Sequence, residues 1–246
     1  MLSVDILNAV DVIVNTTSTN VDFESSNISK QKYITTTKKV GNILFSLGNR
    51  FRVLNVGGKK VFSYRTLYFD TWNCCFFNEY LNENPLRHKV RLRETENGNR
   101  RYFEVKVSDS TKNRQLKQRI AIESWECFKN AQTEELLGRG TGLTFEQITP
   151  ILECQFKRIV LIDNKAQQRV SIDLSPIFIN SRTGVNIGVP ELVIIETKRN
   201  TNNPDLFAEL IDSESAQKSD ISRYMTGMLA TNPLTKRYTA NRNQNK

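Results

Sequence analysis

Two short stretches of strict alternation constrain this chain more than anything else in it. Lys89-Val90-Arg91-Leu92-Arg93 and Tyr102-Phe103-Glu104-Val105-Lys106-Val107 carry apolar residues between charged or polar ones. That is the pattern of a strand whose two faces meet different surroundings. Asn97-Gly98 lies between them, and this dipeptide suits a two-residue turn in which both central residues need positive φ. A turn there predicts Arg93 opposite Tyr102, Arg91 opposite Glu104 and Lys89 opposite Lys106. All of these charged side chains then share one face.

The same pattern returns along the chain. Residues 117–122 form a strand candidate with Lys117 and Arg119 on one face. Residues 152–162 and 167–174 suggest a second hairpin around Asn164-Lys165. In it Arg158 sits between Phe156 and Val160 on its own face, and Arg169, Ser171 and Asp173 alternate with Val170, Ile172 and Leu174. Residues 191–199 add a strand with Glu196 and Lys198 on one face. Strands are also predicted over 33–37, and over 51–56 and 60–69 as a hairpin around Gly57-Gly58. Helices are predicted over 2–14, 38–49, 73–81, 204–212 and 219–230, with 123–149 helical in part. Gly138-Arg139-Gly140-Thr141-Gly142 reads as a connecting loop, since no apolar strand leads into it. Without a βαβ rhythm, the elements specify an α+β fold with an antiparallel sheet. Residues 1–29 form a short helix and an Asn/Ser/Thr-rich linker, 30–232 a domain, and 233–246 a basic tail of disordered composition.

One sheet face is apolar and the other carries both signs of charge. An ordinary half-exposed sheet would do this. The repeated arginine and glutamate on separate strands favour the inverse: a barrel with charges inside and helices over an apolar outside. The chain has 35 Lys+Arg against 26 Asp+Glu, a formal charge of +9, which favours an acidic partner. Strand aromatics such as Phe103 alternate away from the charges, which disfavours base stacking, and nucleic acid is not expected. Four cysteines without a C-x-x-C, and His88 as the one histidine, argue against zinc and point to a reducing, cytoplasmic setting. A metal would then sit on carboxylates and phosphate oxygens, as Mg2+ or Mn2+ does. No P-loop motif occurs. No serine or cysteine has a histidine partner except through His88, so covalent catalysis is not supported. No apolar run is long enough to span a membrane.

Taken in order, Lys32-Tyr33, Tyr68-Phe69-Asp70-Thr71, Lys89 to Arg93, Phe103 to Lys106, Lys117-Gln118-Arg119, Arg158, Arg169 to Asp173, Ile195 to Lys198 and Ser222-Arg223-Tyr224 resemble the VTC domain. This is the polyphosphate polymerase domain of the triphosphate tunnel metalloenzyme (CYTH-like) superfamily, and the resemblance spans roughly residues 30–230. It implies an eight-stranded closed antiparallel barrel, the triphosphate tunnel, with flanking helices. It also implies that Lys32, Arg91, Arg93, Lys106, Lys117, Arg119, Arg158, Arg169, Lys198 and Arg223 bind phosphate. Glu196 would hold a divalent metal, with Glu104 close by. The implied activity transfers the terminal phosphate of ATP onto a growing inorganic polyphosphate chain. Hydrolysis of inorganic or nucleoside triphosphate, and non-catalytic polyanion binding, are the alternatives. A membrane-protein partner at the inner face of a membrane is a further expectation. Lys30 stands where many bacterial relatives carry a glutamate, and Arg223 stands where the signature has lysine.

Overall fold

The computed structural model describes residues 4–17, 28–95, 100–112, 114–163, 165, 167–211, 215–220 and 222–232. The expected turns at Asn97-Gly98 and Asn164, most of the predicted linker and the basic tail lie outside these residues. The chain divides into two compact units. The first comprises Met1–Ser63, Phe156–Pro176 and Gly188–Ile221, and the second Tyr64–Gln155, Ile177–Ile187 and Ser222–Lys246.

The first unit contains α1 (Val4–Asp11), β1 (Asn15–Thr16), β2 (Ile28–Thr36), α2 (Thr37–Leu47) and β3 (Phe51–Leu54). To these it adds β11 (Leu192–Asn200), α5 (Leu206–Leu210), β12 (Gln217–Lys218) and the adjoining parts of β8 (Ile148–Asp163) and β9 (Gln168–Asn180). β2 lies between β12 and β11, and β11 pairs with β9, all antiparallel. Val40, Ile43, Leu44 and Leu47 recur at helical spacing along α2 and are buried with Val170, Ile172, Val193 and Ile195 from one sheet face. This is the amphipathic pattern that brings a helix onto a sheet. The turn at Gly57-Gly58 forms, with Val56 and Lys59 exchanging backbone hydrogen bonds of 3.0 and 3.1 Å. The hairpin expected around it does not, because β3 is flanked by β1 and β8 instead.

The second unit is built on a meander. β4 (Val61–Thr71, from Tyr64 onward), β5 (Leu86–Thr95), β6 (Arg100–Asp109) and β7 (Arg114–Ile122) pair consecutively and antiparallel. α3 (Cys75–Leu81), α4 (Ala131–Thr141), most of β10 (Asn186–Gly188), α6 (Arg223–Thr231) and the remaining parts of β8 and β9 belong to it as well. The register places Arg93 opposite Tyr102, Arg91 opposite Glu104 and Lys89 opposite Lys106, as the turn arithmetic predicts. Leu136 and Leu137 of α4 are buried with Val90, Leu92, Phe103 and Val105 on the apolar face. The glycine-rich stretch read as a loop is instead the end of α4. Gly140 is there because a Cβ would lie 2.5 Å from Val105 Cγ1. Gly142, at φ 73°, closes the helix by donating its N–H to Gly138 O at 2.8 Å, a left-handed C-cap that glycine adopts without strain.

The hydrogen-bond order of the sheet is β12-β2-β11-β9-β8-β4-β5-β6-β7. Among the described residues there are twelve strands. Four of them (β1, β3, β10 and β12) are two to four residues long. The expectation of an eight-stranded closed barrel is thus corrected to a mostly antiparallel α+β sheet with flanking helices. Its order ends at β12 and β7, and no pairing among the described residues joins them.

Candidate functional site

The charged face of the second unit is arranged in rows across its strands. One row is Arg91, Glu104 and Arg119; the next is Lys89, Lys106 and Lys117. Glu104 is buried at 1% exposure and lies at the centre. Arg91 donates from Nε to Glu104 Oε2 at 2.7 Å, and Arg93 donates from Nη2 to Oε1 at 2.5 Å. The Lys117 ammonium is 3.0 Å from Oε1. Burial would raise the Glu104 pKa, but Arg91, Arg93 and Lys117 outweigh it and hold the carboxyl down at about 2. The same crowding acts in reverse on Lys117: burial, with Arg93 and Arg91 nearby, lowers its pKa to about 8. Arg119 lies 4.7 Å over the Tyr102 ring, a cation–π contact that fixes the guanidinium.

The first unit repeats the motif with different residues. Its rows are Lys32, Glu196 and Ser171, then Lys30, Lys198 and Arg169. Both central strands read apolar-Glu-x-Lys: Phe103-Glu104-Val105-Lys106 and Ile195-Glu196-Thr197-Lys198. Lys198 Nζ is 3.3 Å from Glu196 Oε1. Burial would push the Glu196 pKa up, yet Lys198, Arg158 and Lys32 pull it down to about 2. Arg158 grips the buried Asp173 with both arms of its fork, Nε to Oδ1 at 2.5 Å and Nη2 to Oδ2 at 2.8 Å. Such bidentate pairing fixes the guanidinium plane.

Arg223, the remaining basic residue of the expected set, opens α6. Its neighbours explain the Ser222-Arg223-Tyr224 signature. Ser222 caps the helix by accepting from Met225 N at 3.2 Å. The Tyr224 hydroxyl donates to Asp70, which is fully buried and also accepts from the backbone N–H groups of Thr71, Phe76 and Phe77 at 2.7 to 2.9 Å. Asp70 therefore ties the start of α3 to α6, and the Tyr68-Phe69-Asp70-Thr71 motif is structural in large part.

The expected residues other than Arg223 thus fall into two sets. Arg91, Arg93, Glu104, Lys106, Lys117 and Arg119 share a face in the second unit. Lys32, Arg158, Arg169, Glu196 and Lys198 share one in the first. From the sequence, Lys89 and Asp173 fall on these faces and Lys30 stands out as a departure, none of them assigned to phosphate, and Arg87 is not singled out. Counting strand parity outward from Lys89 finds Arg87.

Among the described residues no group of three or more His, Cys, Asp or Glu side chains converges as a metal site. A Mg2+ or Mn2+ ion held by one carboxylate together with substrate phosphates needs no such group. Glu196, with its carboxyl ionised, fits that role. Glu104 has both oxygens engaged by Arg91, Arg93 and Lys117, so a metal there would have to take one of them over. No helix among the described residues is long and apolar enough to cross a membrane.

Comparison with known proteins finds similar solved structures and one family profile. An adenylyl cyclase candidate from Hippeastrum, with dominant triphosphatase activity, superposes with a TM-score of 0.55 at 12% identity, covering 83% of this chain and 96% of that one. A Pyrococcus horikoshii protein gives 0.47 at 11% identity, covering 84% and 99%. An adenylate cyclase candidate from Vibrio parahaemolyticus gives 0.42 at 11%, covering 74% and 81%. No curated protein matches the sequence. The profile of the VTC domain matches residues 27–232, and the chain belongs to the VTC-domain family.

Proposed function

We propose that this chain is a metal-dependent phosphotransferase of the triphosphate tunnel type, moving the terminal phosphate of ATP onto a growing polyphosphate chain. One observation carries the reading. In each unit a sheet turns its apolar face to a helix and gathers cations around a single ionised glutamate on the other. Phosphoryl transfer asks for positioning and charge neutralisation more than for covalent chemistry. Arg91, Arg93 and Arg158 are already oriented by carboxylates and would present planar forks to phosphate oxygens. Lys106, Lys117, Arg119 and Arg223 in the second unit, and Lys32, Arg169 and Lys198 in the first, add charge for phosphate within their own unit. Glu196 would hold Mg2+ or Mn2+ jointly with the substrate, and the ion would neutralise charge developing on the transferred group.

Hydrolysis of triphosphate is the second reading, favoured by the triphosphatase activity of the Hippeastrum protein that shares the fold. Purified protein with ATP and Mn2+, its products resolved on a polyphosphate gel, decides between them. Long chains with ADP are expected. Orthophosphate or pyrophosphate alone would establish the hydrolase. Glu196→Gln is expected to abolish turnover while tripolyphosphate binding persists. Binding by the unaltered protein without turnover would mark a pure polyanion binder.

A further inference from the structure

Trp72, in the turn between β4 and α3, is 79% exposed, the most of any large apolar side chain among the described residues. It is nonetheless held in place. The Arg182 guanidinium lies 4.9 Å over one face of the indole. Arg182 donates from Nη1 to Trp72 O at 2.6 Å, and from Nη2 to Thr71 O at 2.8 Å and Thr149 Oγ1 at 3.1 Å. The turn itself is stitched, since Thr71 Oγ1 accepts from Cys75 N at 2.9 Å and Cys74 N donates to Thr71 O at 2.9 Å. A ring fixed before its ligand arrives loses little freedom on binding. With a cation already on one face, a second cation on the other would be repelled. A neutral planar ring suits the open face, as a nucleic acid base stacks on an aromatic side chain.

The position of Trp72 says which base. β4 pairs Tyr68 opposite Arg91, so strand parity carries the charged face from Tyr68 through Asp70 toward Trp72. The Tyr224 ring lies 5.0 Å from that of Tyr68 and its hydroxyl donates to Asp70, which sets the start of α6, and Arg223, beside this stretch. Trp72 is four residues past Tyr68, about 13 Å at the rise of a strand, a length that an extended nucleoside triphosphate covers. We propose that Trp72, backed by Arg182, is the stacking platform for the base of the nucleoside triphosphate whose phosphates lie on Arg91 and Arg93. This rests on the phosphotransferase reading above and adds to it a preference for a nucleotide over bare triphosphate. A single platform serves a mononucleotide, whereas a nucleic acid strand needs several in succession.

The test is Trp72→Ala, with Trp72→Tyr as the rescue and unliganded melting as the folding control. Affinities for ATP, CTP and tripolyphosphate are measured by calorimetry with Mg2+ present. Trp72→Ala is expected to weaken ATP binding by about tenfold, with tripolyphosphate affinity within about twofold. CTP should lose less than ATP, because a pyrimidine offers the indole a smaller ring. Trp72→Tyr should restore most of the ATP affinity. The indole emission of the unaltered protein should change on adding ATP and not on adding tripolyphosphate. Equal loss for ATP and tripolyphosphate, or no loss for ATP, overturns the assignment while leaving the phosphotransferase reading intact. An unaltered protein that binds neither ligand overturns the assignment and that reading together.

Discussion

Glu104 and Lys117 are neighbours whose charges respond to pH in opposite senses, and both effects are measurable. The Glu104 pKa of about 2 lies below its ordinary 4.5. A carboxyl depressed in the folded state stabilises the fold above the ordinary value and loses that contribution as pH falls toward the folded one. The shift corresponds to about 3 kcal/mol at neutral pH. Glu104→Gln should cost about 3 kcal/mol or more at pH 7, since it leaves Arg91, Arg93 and Lys117 around a neutral group. Denaturant titrations should show the gap between the two proteins narrowing by about 2 kcal/mol at pH 3. Lys117, with its pKa lowered to about 8, is half-charged near that pH, and an anion binds its charged form. Tripolyphosphate affinity should therefore fall as pH rises through about 8, and Lys117→Met should flatten that part of the profile. At this scale the sequence disclosed a great deal, because strand parity alone puts Arg91, Arg93 and Glu104 on one face. It did not disclose that Asp173 would hold Arg158, or that Asp70 would bind Tyr224. Such pairings depend on which strands and helices come together, which periodicity does not encode.

α4 shows where element-level reading succeeds and where it stops. Its start is written locally: Asn130 accepts from Gln132 N and Thr133 N at 3.1 Å, and Thr133 Oγ1 accepts from Asn130 N at 3.0 Å. Its end misled the sequence reading because three glycines in five residues usually break a helix. The reasons for those glycines are tertiary and differ from one to the next. A Cβ on Gly140 would press on Val105 Cγ1, whereas one on Gly138 meets nothing nearer than Leu143 O at 4.0 Å. Opposite effects follow from the same substitution. Gly138→Ala should stabilise the protein by up to about 1 kcal/mol through helix propensity. Gly140→Ala should destabilise it by about 1 to 3 kcal/mol through overpacking against a stiff β-branched side chain. Chemical denaturation of the two variants checks both signs. The Gly57-Gly58 hairpin failed for a related reason: the turn was legible, but the competition of β1 and β8 for the edges of β3 was not.

Across the whole molecule the formal charge of +9 sets expectations for binding and stability together. A ligand that binds only the folded state at about a hundred times its Kd adds about 2.7 kcal/mol. For a chain of this size that is about 5–10 °C in Tm. Tripolyphosphate should produce a shift of this order at low ionic strength, and sodium chloride should erode it as screening grows. An unchanged melting curve at millimolar tripolyphosphate would contradict the phosphate-site assignment. The α+β class and the order of the motifs were visible from the alternating segments and the turns between them. Sheet closure was not, because it depends on the pairing of edge strands far apart in sequence.

The buried carboxylate of Glu104 also changes what binding means for this protein. Arg91 and Arg93 are not a vacancy awaiting an anion, since they already hold a resident one on β6. On the proposed reading an arriving anion would compete with it, and association would be an exchange reaction, as on an ion-exchange resin with its counter-ion built into the matrix. Exchange of this kind ranks ligands by valence. Chloride and single phosphates would then displace a tethered carboxylate poorly, whereas a linked chain of phosphates would engage several cations at once and prevail at far lower concentration.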